Sequence, residues 1–310
     1  MINIFKTTQD GLKEISEFQK GVWIRITNPK KVELEEFQKT LNFPLSFLLD
    51  PLDVDERARI EKDNGHILII IRIPCFVEEN TTIPFQTLPL GLIINHDYLI
   101  TICNKDIKIL SDFSKNNAQT ISTDKIHHFL FKIFMKTSEL YLKDLKQIND
   151  MTNEIEAELC KSMRNEELIK LLDIEKCLVF FTTSLKANEF VMERLSRSNL
   201  LTMAEDDKEM LNDVIVENKQ AIEMANIYSD ILSSMRDAFA SVISNNLNVV
   251  MKFLTSVTII LMLPTLVASV YGMNVPLPFQ DSPHAFLITI GISFLLSGLG
   301  VWVFIKRRFF

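Results

Sequence analysis

Between Leu92 and Leu263 the chain has no glycine and no proline, which excludes a succession of tight turns there and implies long helices. Histidine is scarce. His66, His96, His127, His128 and His284 stand in unrelated contexts, and His127-His128 are adjacent on a predicted helix, pointing about 100° apart as a poor metal pair. A phosphate-binding glycine loop, a Walker or Rossmann pattern and a His-Glu-x-x-His motif are all missing, so the expectation is no enzyme and no organic cofactor. Cys75, Cys103, Cys160 and Cys177 lack metal-type spacing and read as isolated thiols. The start, Met1-Ile2-Asn3-Ile4-Phe5-Lys6 running into Gln9-Asp10, has no sustained apolar stretch, which argues against a cleaved signal peptide. No internal repeat or low-complexity tract stands out, and with a formal net charge of −7 no nucleic-acid partner is expected.

Apolar residues are concentrated after Val249. Phe253 to Val270 is a run of 18 residues without a charge and Ala285 to Ile305 is one of 21; each can cross about 30 Å of hydrocarbon as a helix. Lys252 precedes the first run, Lys306-Arg307-Arg308 follow the second, and Gly272 to His284 contains no Lys or Arg. Positive charge stays inside, so both termini are expected on the cytoplasmic face of a cell inner (plasma) membrane.

Ahead of the helical stretch, Val22 to Ile26, His66 to Ile73, Thr87 to Ile94 and Tyr98 to Cys103 are rich in β-branched residues and bounded by Asn, Asp, Gly and Pro, and so predict strands. Helical pieces fit between Lys31 and Leu41 and between Pro44 and Arg59. From about Thr123 the pattern predicts helices to about Lys161, from about Asn165 to Ser198, and from near Thr202 without a break into the first span. The fold class is an α+β cytoplasmic domain followed by long α-helices and two transmembrane helices. The divisions are 1–120 for the α/β domain, 121–248 for the helical stalk and 249–271 for the first span; 272–284 is the loop, 285–305 the second span and 306–310 a basic tail.

One face of the last long helix is polar at heptad spacing. Within the first span it reads Asn248, Met251, Thr255, Thr258, Met262, Thr265 and Ser269, while the other faces are Phe, Leu, Ile and Val. The residues alone leave two readings open: a polar seam joining the two spans of one subunit, since Ser and Thr glue helices in lipid, or the wall of a water-filled path. The same face turns acidic before the span, at Glu223, Asp230 and Asp237. Glu205 to Asp237 holds nine acids against three bases. A charge run of this kind is an ordinary solvated face; repeated by symmetry it would also make a vestibule attractive to cations.

The first span ends Val270-Tyr271-Gly272-Met273-Asn274-Val275-Pro276, which reads locally as a helix stop with Gly272 in the left-handed conformation. Gly-Met-Asn at the outer end of the first of two C-terminal spans, behind a long helix without Gly or Pro, resembles the CorA family of magnesium and divalent cation channels, and the resemblance covers the whole chain. It implies a funnel-shaped homopentamer in a lipid bilayer, self-associated, whose transported and regulatory ion is Mg2+. Gly272, Met273 and Asn274 would form the filter, with Asn274 as a carbonyl ring at the entrance. Asn248, Met251, Leu254, Thr255, Thr258, Met262, Thr265 and Ser269 would line or gate the pore, and Glu223, Asp230 and Asp237 would line the vestibule. Asp50 and Asp213 would be the inter-subunit regulatory metal ligands, although Asp50 alone reads as a helix boundary and Asp213 as an exposed helix charge.

Two departures from the family pattern are visible. The loop Pro276 to Pro283 has Asp281 as its one acid, and Leu49 stands where many relatives carry a carboxylate. His284 reads as an interfacial residue or a ligand for a softer metal. The alternatives are a cobalt/nickel or zinc transporter on the same architecture and, in a different class, a two-span membrane-anchored scaffold or sensor.

Overall fold

The computed structural model describes residues 1–8, 11–41, 43–77, 83–115, 121–161, 165–198, 200–279 and 282–307; Asp281 and Arg308 lie outside them. The chain divides into two compact units, Met1–Ser233 and Ser234–Phe310.

The first unit is built on one seven-stranded sheet. Its strands are β1 (Ile2–Thr8), β2 (Gly11–Ile15), β3 (Val22–Thr27), β4 (Arg59–Asp63), β5 (His66–Phe76), β6 (Phe85–Ile94) and β7 (Tyr98–Cys103), in the order β2-β1-β3-β7-β6-β5-β4. Only β3 and β7 pair in parallel, with Val22 beside Tyr98 and Thr27 beside Cys103; the other pairs are antiparallel. The central strands β5, β6 and β7 are apolar along nearly their whole length because both faces of the sheet are covered.

Period-two alternation assigns the two faces. Val22, Ile24, Ile26, Leu68, Ile70, Ile93, Ile100 and Ile102 pack under α1 (Lys31–Leu41) and α2 (Ser46–Leu49), through Leu34, Phe47 and Leu48. Trp23, Ile69, Ile71, Leu90 and Leu92 face the other way, into a core shared with α3 (Lys108–Lys115), α4 (Ile126–Lys161), α5 (Asn165–Arg197) and the first turns of α6 (Glu205–Tyr271). Asn188 of α5 repairs a break in the sheet. Arg72 lies beside Pro89 of β6, but β4 pairs with β5 only as far as Ile70, so the other edge of the Arg72 main chain has no strand partner; there Asn188 accepts from its N–H at 2.8 Å and donates to its C=O at 2.7 Å, and Tyr141 OH donates to the same oxygen at 3.0 Å.

The helical piece expected between Pro44 and Arg59 is present and short. Only Ser46–Leu49 is α-helical; a 3₁₀ turn at Asp50–Leu52 ends it, and Arg59 already opens β4. Asp50 is followed by Pro51, whose ring sits on Gly91 of β6: a Cβ at Gly91 would lie 2.4 Å from Pro51 Cγ. That close approach needs glycine and fixes where Asp50 stands.

In the second unit α6 continues from Ser234 to Tyr271 through Pro264, and α7 (Ala285–Lys306) follows. Both are long and apolar enough to cross a membrane. Proline is tolerated inside helices of this kind.

Candidate functional site

The second unit separates the two readings of the polar stripe. α6 meets α7 along Ser256, Ile260, Leu263 and Val267: Ser256 and Val267 are buried, and a Cβ at Gly300 would lie 3.2 Å from Leu263 and 3.9 Å from Ile260. Asn248, Met251, Leu254, Thr255, Thr258, Met262, Thr265 and Ser269 are all exposed. With 3.6 residues per turn, the centre of the stripe lies about 140° around the helix from this seam. The seam is therefore made of other residues, and among the described residues of its own unit the stripe has no neighbouring helix packed on it. Thr255 and Thr258 donate back to the carbonyls of Met251 and Leu254 at 2.8 Å, and Thr265 to Leu261 at 3.2 Å. Each hydroxyl thus spends its proton on its own helix and turns lone pairs outward, an arrangement that suits cations and their water.

The loop motif follows directly. Gly272 does not take the expected left-handed conformation, since its φ is not positive; the turn at Phe279 has φ +66 instead. The helical ladder runs on through Gly272 N–H, which donates to Ala268 O at 3.0 Å, and then tightens as Met273 N–H donates to Val270 O at 3.2 Å. The helix ends by a 3₁₀ turn and needs no glycine for φ. Tyr271 OH donates to Pro278 O at 3.3 Å, tying the loop to the helix end, while Gly272, Met273 and Asn274 are exposed.

Glu223, Asp230 and Asp237 are exposed on α6, with Arg236 Nε 3.9 Å from Asp237. Asp213 is exposed and has no hydrogen-bond or ion-pair partner among the described residues. Asp50 is already engaged: its carboxylate accepts from Arg59 Nη2 at 2.6 Å, and Arg59 also pairs with Glu56 and Glu61. Asp50 follows a helix packed on one sheet face, while Asp213 lies between Leu211 and Val214, which pack on the other. A single subunit does not bring the two aspartates together. Among the described residues no group of three or more His, Cys, Asp or Glu is placed to hold a metal ion.

Sequence reasoning missed one juxtaposition. His96, His127 and His128 line a cavity of about 360 Å³ with Asp206 and Asp207, and His128 Nδ1 lies 3.7 Å from Asp207 Oδ1. Burial lowers the pKa of His127 and His128, favouring their neutral forms, against the pull of Asp207. No sequence signal links these positions, because β6–β7, α4 and α6 meet there only through the fold.

An α/β domain, long helices and two membrane-length helices, the first running into Gly272-Met273-Asn274, define the class of a two-span membrane protein with a large polar domain. A family model described as CorA-like Mg2+ transporter protein matches residues 18–307. The chain is 31% identical, over 98% of its length and 98% of the relative's, to the cobalt/magnesium transport protein CorA of Methanocaldococcus jannaschii. It is 22% identical to the protein of the same description from Thermotoga maritima, over 87% of this chain and 78% of that one. Its fold matches the complete structure of the CorA magnesium transporter from Methanocaldococcus jannaschii with TM-score 0.87 and 28% identity, covering 98% of this chain and 97% of the other. The chain belongs to the CorA-like Mg2+ transporter family, a family of transporters and not of enzymes.

Proposed function

We propose that this chain is one subunit of a homopentameric channel that moves hydrated Mg2+ inward across the cell inner membrane, both termini cytoplasmic, and that cytosolic Mg2+ closes it. The carrying observation is the polar face from Asn248 to Ser269, exposed on the side of α6 away from the α7 seam. Two spans cannot enclose water, but several copies of α6 around an axis can. The cobalt/magnesium description of the Methanocaldococcus jannaschii relative supports Mg2+ as the cargo with Co2+ as a second one.

The chemistry suits Mg2+, which is small, prefers octahedral oxygen and sheds water reluctantly. A ring of Asn274 amides after Gly272 and Met273 holds the hydration shell through neutral oxygens and lets it go again. Met251 and Leu254 narrow the path as an apolar collar that closes by dewetting, while Thr255, Thr258, Thr265 and Ser269 offer oxygens and Met262 a second apolar ring. Glu223, Asp230 and Asp237 concentrate cations at the inner mouth. An inside-negative potential of 100 mV gives a divalent ion about 4.6 kcal/mol, so inward flux needs no ATP.

For regulation, Asp50 of one subunit and Asp213 of its neighbour hold Mg2+ between them. This rests on the sheet that separates the two residues within one chain and on the exposed, unpartnered Asp213. The donor set fits with one exchange, in which the ion displaces Arg59 from Asp50.

Magnesium flux into proteoliposomes tests the assignment. Wild-type protein is expected to pass Mg2+ and to be blocked by hexaamminecobalt, and Asn274→Ala to lose selectivity; undiminished, still selective flux in Asn274→Ala vesicles sinks the filter.

A further inference from the structure

A cavity of about 720 Å³ lies within the first unit at the end of β5 and shares no lining residue with the sites above. Its wall includes Asp144 of α4, which is 6% exposed and makes no hydrogen bond or ion pair among the described residues. Its carboxylate opens only onto the cavity wall without a protein partner, and part of the hydration it has lost is free energy that a ligand with N–H groups would return. Burial pushes its carboxyl up to about 6, so at pH 7.5 it is an ionised acceptor. Lys105, Lys108 and Lys143 line the same cavity, are exposed, and make no ion pair among the described residues. The second acid on the wall does not neutralise them: Asp106 is bound by Arg25 and accepts from Ser111 Oγ at 2.8 Å. Ile73, Leu88, Ile107 and Leu140 supply an apolar floor. One acceptor at depth, an apolar floor and three ammonium groups suit a ligand with N–H donors on a ring at one end and anionic oxygens at the other. The volume falls in the range of about 300–1,000 Å³ usual for small-molecule sites.

We propose that this cavity binds a purine nucleotide, its base N–H groups donating to Asp144 and its phosphates resting on Lys105, Lys108 and Lys143. The site is independent of the conduction reading and would give the cytoplasmic domain a second, metabolic input. The test titrates N-methylanthraniloyl-GTP and N-methylanthraniloyl-ATP into full-length protein in detergent, with EDTA present so that Mg2+ plays no part. Saturable binding is expected for at least one of them, with unlabelled pyrophosphate competing at least tenfold more weakly than the matching unlabelled nucleotide. Asp144→Ala and the double variant Lys105→Met/Lys143→Met are each expected to weaken binding tenfold or more. Should Asp144→Ala fail to fold, Asp144→Asn, which keeps the side-chain volume, is read in its place. Absence of saturable binding, equal potency of pyrophosphate, or unchanged affinity in the Asp144 or lysine variants overturns the proposal.

Discussion

Replacing Gly91 by alanine tests how β6 seats Asp50. The new Cβ would lie 2.4 and 2.6 Å from Pro51 Cγ and Cβ and 2.7 Å from Ile102 Cγ2, all well inside van der Waals contact. Pro51 is a rigid buried ring and Ile102 is fully buried in the sheet, so neither can swing aside without moving main chain. Overpacking of this kind costs about 1–3 kcal/mol, which for a unit of this size lowers Tm by roughly 2–12 °C. Since Asp50 precedes Pro51 directly, relief by shifting the 3₁₀ turn also displaces the carboxylate, and the variant is expected to need more cytosolic Mg2+ to close. The assay is a thermal melt of the detergent-solubilised protein followed by the buried Trp23, paired with a flux-inhibition curve. Gly291→Ala on α7, where a Cβ meets open space, is the control and is expected to melt no lower than wild type. A Gly91→Ala protein whose Tm and inhibition curve both match wild type would refute the reasoning.

In the proposed regulation, Arg59 is the group the ion must displace from Asp50; both side chains are about a third exposed, so the pair is worth at most about 1 kcal/mol. Arg59→Gln is therefore expected to close at up to about fivefold lower Mg2+, and Asp213→Ala to need more; an unchanged curve for Asp213→Ala removes that residue from the sensor. Asp144 gives a pH signature in stability. Its folded pKa of about 6 lies above the ordinary 3.8, so the stability it contributes is present below about pH 4 and lost as pH rises through 6. Asp144→Asn is expected to be more stable than wild type by on the order of 2–3 kcal/mol at pH 7.5, with the gap closing toward pH 4, as read from urea midpoints.

Strong, one-signed patterns were legible in the sequence. The uncharged runs became the end of α6 and α7, and the β-branched runs at Val22, His66, Thr87 and Tyr98 became β3, β5, β6 and β7. Edge strands were not legible. β4 reads Arg-Ile-Glu-Lys-Asp and β2 Gly-Leu-Lys-Glu-Ile, charged sequences that keep a sheet edge from recruiting other chains but look like helix or loop in isolation. Heptad spacing showed the polar face of α6, yet could not say which face α7 takes, because that depends on Gly300 meeting Leu263 across two helices. The Asp50–Arg59 pair was hidden for a similar reason, since a 3₁₀ turn and an edge strand bring it together. Gly272 misled because the glycine stop rule assumes a left-handed cap where the ladder instead tightens.

The central claim is that the exposed face of α6 borders water. Single cysteines at Thr258 and Met262 on that face, Ser256 and Leu263 on the α7 seam, and Ile259 and Leu266 on a third face, each in a background lacking the native four, would be exposed in proteoliposomes to a charged methanethiosulfonate reagent during magnesium flux. The account predicts fast modification and loss of flux at Thr258→Cys and Met262→Cys, and neither at the other four. Modification spread evenly over the three faces, or confined to the seam, would contradict it.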